Sequence, residues 1–259
     1  MFRSPGPLLV QAGPVPLRWY GVMMATAMAA GVWLATRTAR RRGLDAGELL
    51  KAAEVALLGG VVGARLYYVL FTWDYYRHEP WKILAIWEGG TALHGGLIGG
   101  LLAGAAYIWW KGLPVAPYLD AAAPSLALGQ AIGRWGDFFN EQAFGTPTGL
   151  PWGLYISPPH RPLAFLQDQY FHPAFLYESA WSLVVFIVLL ASRRRWAPAP
   201  GALFLAYLGW SSFGRVWIEA LRTDPLMLGS FRVSQIASAL GIAVALWGVP
   251  RLRKRAQVA

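Results

Sequence analysis

Apolar residues come in blocks about twenty residues long along this chain, parted by short polar or basic stretches. That is the length an α-helix needs to cross bilayer hydrocarbon. The blocks predict spanning helices at about 17–36, 50–71, 91–110, 119–139, 173–192, 200–219 and 232–250. The opening MFRSPGPLLVQAGPVP is rich in Pro and Gly, and a basic cluster follows the first block instead of preceding it, the reverse of a cleavable signal peptide. From Asn140 to His172 the prolines and glycines of TPTGLPWGLY and SPPHRP are too dense for a span. This external loop, 140–172, is expected to hold short strands or turns between spans four and five, and either carries function or simply caps the helices. The expected fold is an all-α membrane protein, a seven-transmembrane helix bundle forming a single integral membrane domain over residues 1–259. With no internal repeat in view, an odd span count argues against an inverted-repeat transporter.

Composition agrees. The AVILMFWYC set makes up 56% of the chain and charged residues only 14%. Counted with Gly and without Tyr, the apolar share is roughly 63%, against about 45–50% in soluble domains. Disorder and a soluble nucleic-acid binder are disfavoured. The net charge of +10 is spread in clusters between apolar blocks rather than on one basic face, so it speaks for topology and anionic lipid, not nucleic acid. Arg37, Arg40 to Arg42, Lys51, Lys111, Arg193 to Arg195, Arg251 and Arg253 to Arg255 fall on one side, 13 residues in all. Arg3, Arg18, Arg77, Lys82, Arg161, Arg222 and Arg232 make 7 on the other, with Arg65, Arg134 and Arg215 in or at the edge of spans. By the positive-inside rule the N-terminus is expected outside and the C-terminus in the cytoplasm. There is no cysteine, so any thiol chemistry must use a substrate's sulfur. His78, His94, His160 and His172 show no metal-ligand spacing, and no metal site is expected.

Ionisable groups are expensive in a span, so those that persist there are the informative ones. GRWGDFFNEQAFG at 133–145 gathers Arg134, Asp137, Asn140, Glu141 and Gln142 at the outer end of the fourth span. FGRVWIEALR at 213–222 sets Arg215, Glu219 and Arg222 on one helical stripe ending at the same face. His94, in HGGLIGG, opens the third span near that same leaflet. Two arginines at headgroup level can fork onto a phosphate, pointing to an anionic lipid. Alternatively, Arg134 with Asp137 and Arg215 with Glu219 are structural ion pairs, and His94 is a packed residue rather than a base.

The stretch GRWGDFFNEQAFG resembles the signature of the prolipoprotein diacylglyceryl transferases, bacterial inner-membrane enzymes. RWYG at Arg18 to Gly21, HGGLIGG at His94 to Gly100, LPWG at Leu150 to Gly153, HPAFLYES at His172 to Ser179 and RVWIEALR at Arg215 to Arg222 follow in the family's order. The resemblance implies transfer of the diacylglyceryl unit of phosphatidylglycerol to the lipobox cysteine thiol of a prolipoprotein, forming a thioether and releasing glycerol 1-phosphate, with no cofactor. It implies phosphatidylglycerol binding by Arg134, Arg215, Tyr20, Asp137 and Asn140, with Glu219 orienting Arg215 and His94 as the proposed base. Tyr20 also reads as an interface anchor. Gly145 matches a signature glycine, and Glu141, Gln142, His172, Tyr177, Glu178 and Arg222 are expected to support the site. Two positions depart from the family's pattern: Asp137 stands where asparagine is usual, and Gln142 where glutamate is usual, with Glu141 next to it. A different winding at the loop start is the expected way for Glu141 to replace that carboxylate. A transporter of an anionic solute and a non-catalytic membrane scaffold are the competing readings.

Overall fold

The computed structural model describes residues 1–12, 15–85, 89–90, 92–196, 199–223, 227–228 and 231–258. Three short strands, β1 (Phe2–Arg3), β2 (Leu8–Ala12) and β3 (Val15–Arg18), lead into α1 (Trp19–Arg41), α2 (Ala46–Phe71), the one-turn α3 (Trp73–Tyr76), α4 (Leu93–Trp110) and α5 (Val115–Phe139). Then come β4 (Leu154–Tyr155), β5 (Tyr170–Phe171), α6 (Ala174–Trp196), α7 (Ala202–Leu221), the short β6 (Met227–Leu228) and β7 (Phe231–Arg232), and α8 (Val233–Val258). Each predicted block thus carries a helix. Trp19–Arg41, Ala46–Phe71, Ala174–Arg193 and Val233–Gln257 are long and apolar enough to cross a membrane, so this is a multi-pass membrane protein.

The helix bounds depart from the hydropathy pattern for identifiable reasons. The first helix begins at Trp19, two residues late, because Leu17 and Arg18 pair with Val10 and Leu8 in the antiparallel β2–β3 ladder. α1 and α8 run on to Arg41 and Val258, past the apolar ends at 36 and 250, because arginine is a good helix former that prolongs a helix beyond its apolar part.

The described chain forms two compact units, residues 1–35 with 119–259, and residues 36–118. In the first, Ala123 and Ala127 of α5 let Val185 and Leu189 of α6 and Leu203 and Tyr207 of α7 close into one buried cluster. Phe138, Phe144, Leu154, Ile156, Phe171 and Phe175 form a second, fastening the α5–α6 connection between its two helices. Within that connection β4 pairs antiparallel with β5 and parallel with β1, so the N-terminal residues fold against it. The fully buried Asp120 of α5 accepts hydrogen bonds from the Gly201 and Phe204 amides, both at 2.9 Å, satisfying donors that the start of α7 would otherwise leave orphaned.

The second unit is built on α2 against α4. A Cβ on Gly63 would stand 2.4 Å from the Gly95 carbonyl oxygen, so only glycine permits this backbone-to-backbone approach. Buried Arg65 of α2 donates to the Ile83 and Gly90 carbonyls, ahead of α4.

Candidate functional site

The last turns of α5 place Arg134 and Asp137 three residues apart on one face, with Nη1 3.1 Å from Oδ2. The other terminal nitrogen of Arg134 lies 2.5 Å from Glu178 Oε2, on the second turn of α6. Arg215 of α7 approaches that same oxygen at 3.6 Å and Glu219, one turn on, at 3.7 Å. Arg222, just past α7, stands 3.8 Å from Glu178 Oε1. Three guanidiniums therefore converge on one carboxylate that is 7% exposed. The spacing reading of paired ions and the reading of an anion site are both present here, because the contacts differ in quality. Arg134 is tightly paired, whereas both contacts of Arg215 exceed hydrogen-bond reach and its side chain is 39% exposed. Glu178 Oε1 and Glu219 Oε2 are buried without a hydrogen bond among the described residues. An arginine so held keeps directed donors for an incoming oxyanion.

The rest of the signature surrounds this cluster. Gly136 lies under the Tyr20 ring, where an added Cβ would come within 2.8 Å of Tyr20 Cδ2, and Trp19 stacks on Phe139 at 4.5 Å. The RWYG stretch is thereby docked on the signature helix. Asn140 is half-buried in the turn after α5, its amide bonded to the Gly136 carbonyl at 3.2 Å. The chain then turns left-handed at Glu141, φ 52°, and again at Ala143, φ 52°. Glu141 is buried and Gln142 exposed. The Glu141 carboxylate accepts a 2.9 Å hydrogen bond from the Ser157 amide, binds the Ser157 hydroxyl, and lies 2.9 Å from His160 Nδ1. Burial pushes its pKa up, but the bonds from Ser157 and His160 outweigh burial and hold it below the ordinary carboxylate value. Its partners belong to the α5–α6 connection, while Arg134 pairs with Asp137 and Glu178.

Gly145 joins three pieces. Its amide donates to the His172 carbonyl at 2.8 Å, it bridges to Arg222, and the next amide, Thr146, donates to Leu221 O at 2.8 Å. A Cβ here would lie 2.9 Å from both the Leu221 carbonyl oxygen and His172 Cβ. Gly145→Ala is expected to cost about 1–3 kcal/mol of stability by overpacking. Thermal unfolding in detergent reads it, and an unchanged melting temperature would contradict this account. His172 Nδ1 stands 3.2 Å from the Tyr177 hydroxyl, which accepts a 3.0 Å hydrogen bond from Trp152 Nε1. Tyr177 precedes Glu178 directly, so these contacts brace the start of α6. His94 lies in the first turn of α4, in the other unit, and its side chain is outside the described residues.

Sequence reasoning passed over Arg232, whose Nη1 bonds the Glu219 carbonyl. Its only signal was a basic residue in a short polar segment. Asp120 and the contacts of Arg65 carried no local signal beyond a charge within a predicted span.

A family model described as prolipoprotein diacylglyceryl transferase matches residues 7–250. A protein of Nostoc named phosphatidylglycerol–prolipoprotein diacylglyceryl transferase is 49% identical over 262 residues, covering 98% of this chain and 93% of its own. Proteins of the same name from Synechococcus elongatus and Gloeobacter violaceus are 47% and 46% identical, covering 96% and 98% of this chain and 88% and 96% of their own. With the signature folded around a shared arginine cluster and this likeness running nearly end to end, the chain belongs to the prolipoprotein diacylglyceryl transferase family.

Proposed function

We propose that this protein transfers the diacylglyceryl group of phosphatidylglycerol to the lipobox cysteine of prolipoproteins. The cysteine sulfur attacks the glyceryl carbon that bears the phosphate. A carbon–sulfur bond forms, the carbon–oxygen bond breaks, and glycerol 1-phosphate departs. The phosphodiester enters with one negative charge and leaves as a monoester with a further one, so stabilising that gain is the task of the site. Arg134 and Arg215 hold the phosphate oxygens, Glu219 orients Arg215, and Tyr20 and Asn140 donate hydrogen bonds to the headgroup. Asp137 tempers the charge of Arg134. His94 takes the thiol proton, since an ordinary cysteine with pKa about 8.5 is mostly protonated at neutral pH. The enzyme acts in the bacterial inner membrane with its N-terminus and the 140–172 segment outside, its C-terminus in the cytoplasm and seven spans between. No cofactor or metal enters the reaction.

The observation that carries this reading is the convergence of Arg134, Arg215 and Arg222 on Glu178, with Arg215 left at distances longer than a hydrogen bond. The test is mass spectrometry of a lipobox peptide incubated with the purified protein and phosphatidylglycerol. A diacylglyceryl mass gain on cysteine with released glycerol phosphate, absent with Arg134→Ala, is the expected result. A folded, lipid-bearing preparation that leaves the peptide unmodified would overturn it, and anion uptake into proteoliposomes would then favour transport.

A further inference from the structure

Arg65 of α2 is 5% exposed, and its guanidinium spends all five N–H donors on the backbone carbonyls of residues 82, 83, 85, 89 and 90. Nε donates to Ile83 O at 2.9 Å, Nη2 to Lys82 O at 2.5 Å and Ala85 O at 3.1 Å, and Nη1 to Gly89 O at 2.5 Å and Gly90 O at 2.7 Å. Gly89 and Gly90 are both left-handed, φ 88° and 75°, which brings two successive carbonyls onto one nitrogen, a backbone only glycine adopts without strain. The Tyr76 ring, itself buried, lies 5.2 Å from the guanidinium carbon. Among the described residues no carboxylate joins these partners. A charge buried in a span is costly, so five well-made bonds to backbone carbonyls ahead of α4 need a reason beyond surface compatibility.

The neighbours of Arg65 in α2 hold the next residues of the same segment. The Ala92 amide donates to Ala64 O at 3.0 Å, and Gly95 is pressed against the Gly63 carbonyl, 2.3 Å from where its Cβ would be. Residues 89, 90, 92 and 95 are thus fastened in order to α2 positions 65, 64 and 63. His94 sits inside this fastened stretch.

We infer that Arg65 is a positioning residue for His94, fixing the backbone entry into α4 on which His94 lies. The kinetic part rests on the proposed reaction; the placement of His94 does not. Lysine offers three donors from a point charge and cannot reproduce a planar five-donor fork. With Arg65→Lys in the full-length protein, kcat is expected to fall by about 10²-fold, the scale of a small misplacement of a reacting group, while KM for phosphatidylglycerol stays as in the wild type. Diethylpyrocarbonate labelling read by peptide mass is expected to change at His94 and stay at wild-type rates at His160 and His172. Gly90→Ala, whose Cβ would stand 2.7 Å from Arg65 Nη1, disturbs the same contacts from the other side and is expected to give the same signature. Wild-type His94 labelling in both variants would overturn the inference, as would parallel changes at all three histidines, which report general loosening. If the wild-type protein transfers nothing, the proposed function fails, and the labelling comparison still decides the role of Arg65.

Discussion

Replacing Arg215 with lysine is expected to lower diacylglyceryl transfer by about 10²–10³-fold, nearly as far as replacing it with alanine. The geometry argues this directly. One Arg215 nitrogen faces Glu178 at 3.6 Å and the other faces Glu219 at 3.7 Å, so the planar group is steered from both sides while neither contact uses up its donors. An ammonium keeps the charge but has one point to offer; it would collapse onto one carboxylate and lose the fork that matches two phosphate oxygens. Initial rates at varied phosphatidylglycerol check it. Near-normal turnover by the lysine variant would mean that charge alone suffices and that the fork is not used.

Glu178→Gln should be the most destabilising change in the cluster. The carboxylate is 7% exposed and faces Arg134, Arg215 and Arg222 together, so neutralising it leaves three cations converging on an amide. Removing one partner of a buried pair typically costs about 3–5 kcal/mol. The melting temperature in detergent should fall clearly, and adding Arg222→Gln should recover part of it by lowering the number of like charges that meet there. An unchanged melting temperature in the single variant would show that the three arginines are independently solvated.

These two cases also show what can be read from a chain of this kind. The seven apolar blocks announced their helices because lipid demands unbroken apolar length, and the signature stretches announced the arginines because charge in a span is rarely idle. Glu178 read only as a supporting residue, since its importance comes from α6 lying against α5 and α7, contacts made across 44 and 37 residues of sequence to Arg134 and Arg215. Local periodicity carries no trace of such a meeting. Arg232 was counted merely as one positive charge toward topology, yet it bonds a carbonyl thirteen residues back. The winding at Glu141 was foreseeable as a possibility from the displaced carboxylate, but its partners Ser157 and His160 sit in a segment whose turns no hydrophobic pattern specifies. Strands β2 and β3 were hidden for a similar reason: a ladder of five and four residues beside prolines looks like an irregular leader.

Asp120 has one more consequence. It grips the Gly201 and Phe204 amides at the start of α7, while at the far end Leu221 O is bonded by Thr146 and Glu219 O by Arg232. A rod clamped at both ends can bow but neither slide nor spin. The angular setting of Arg215 on α7 is therefore held from both ends, and the motions that admit a lipid and release its product are expected to occur around this strut rather than by moving it.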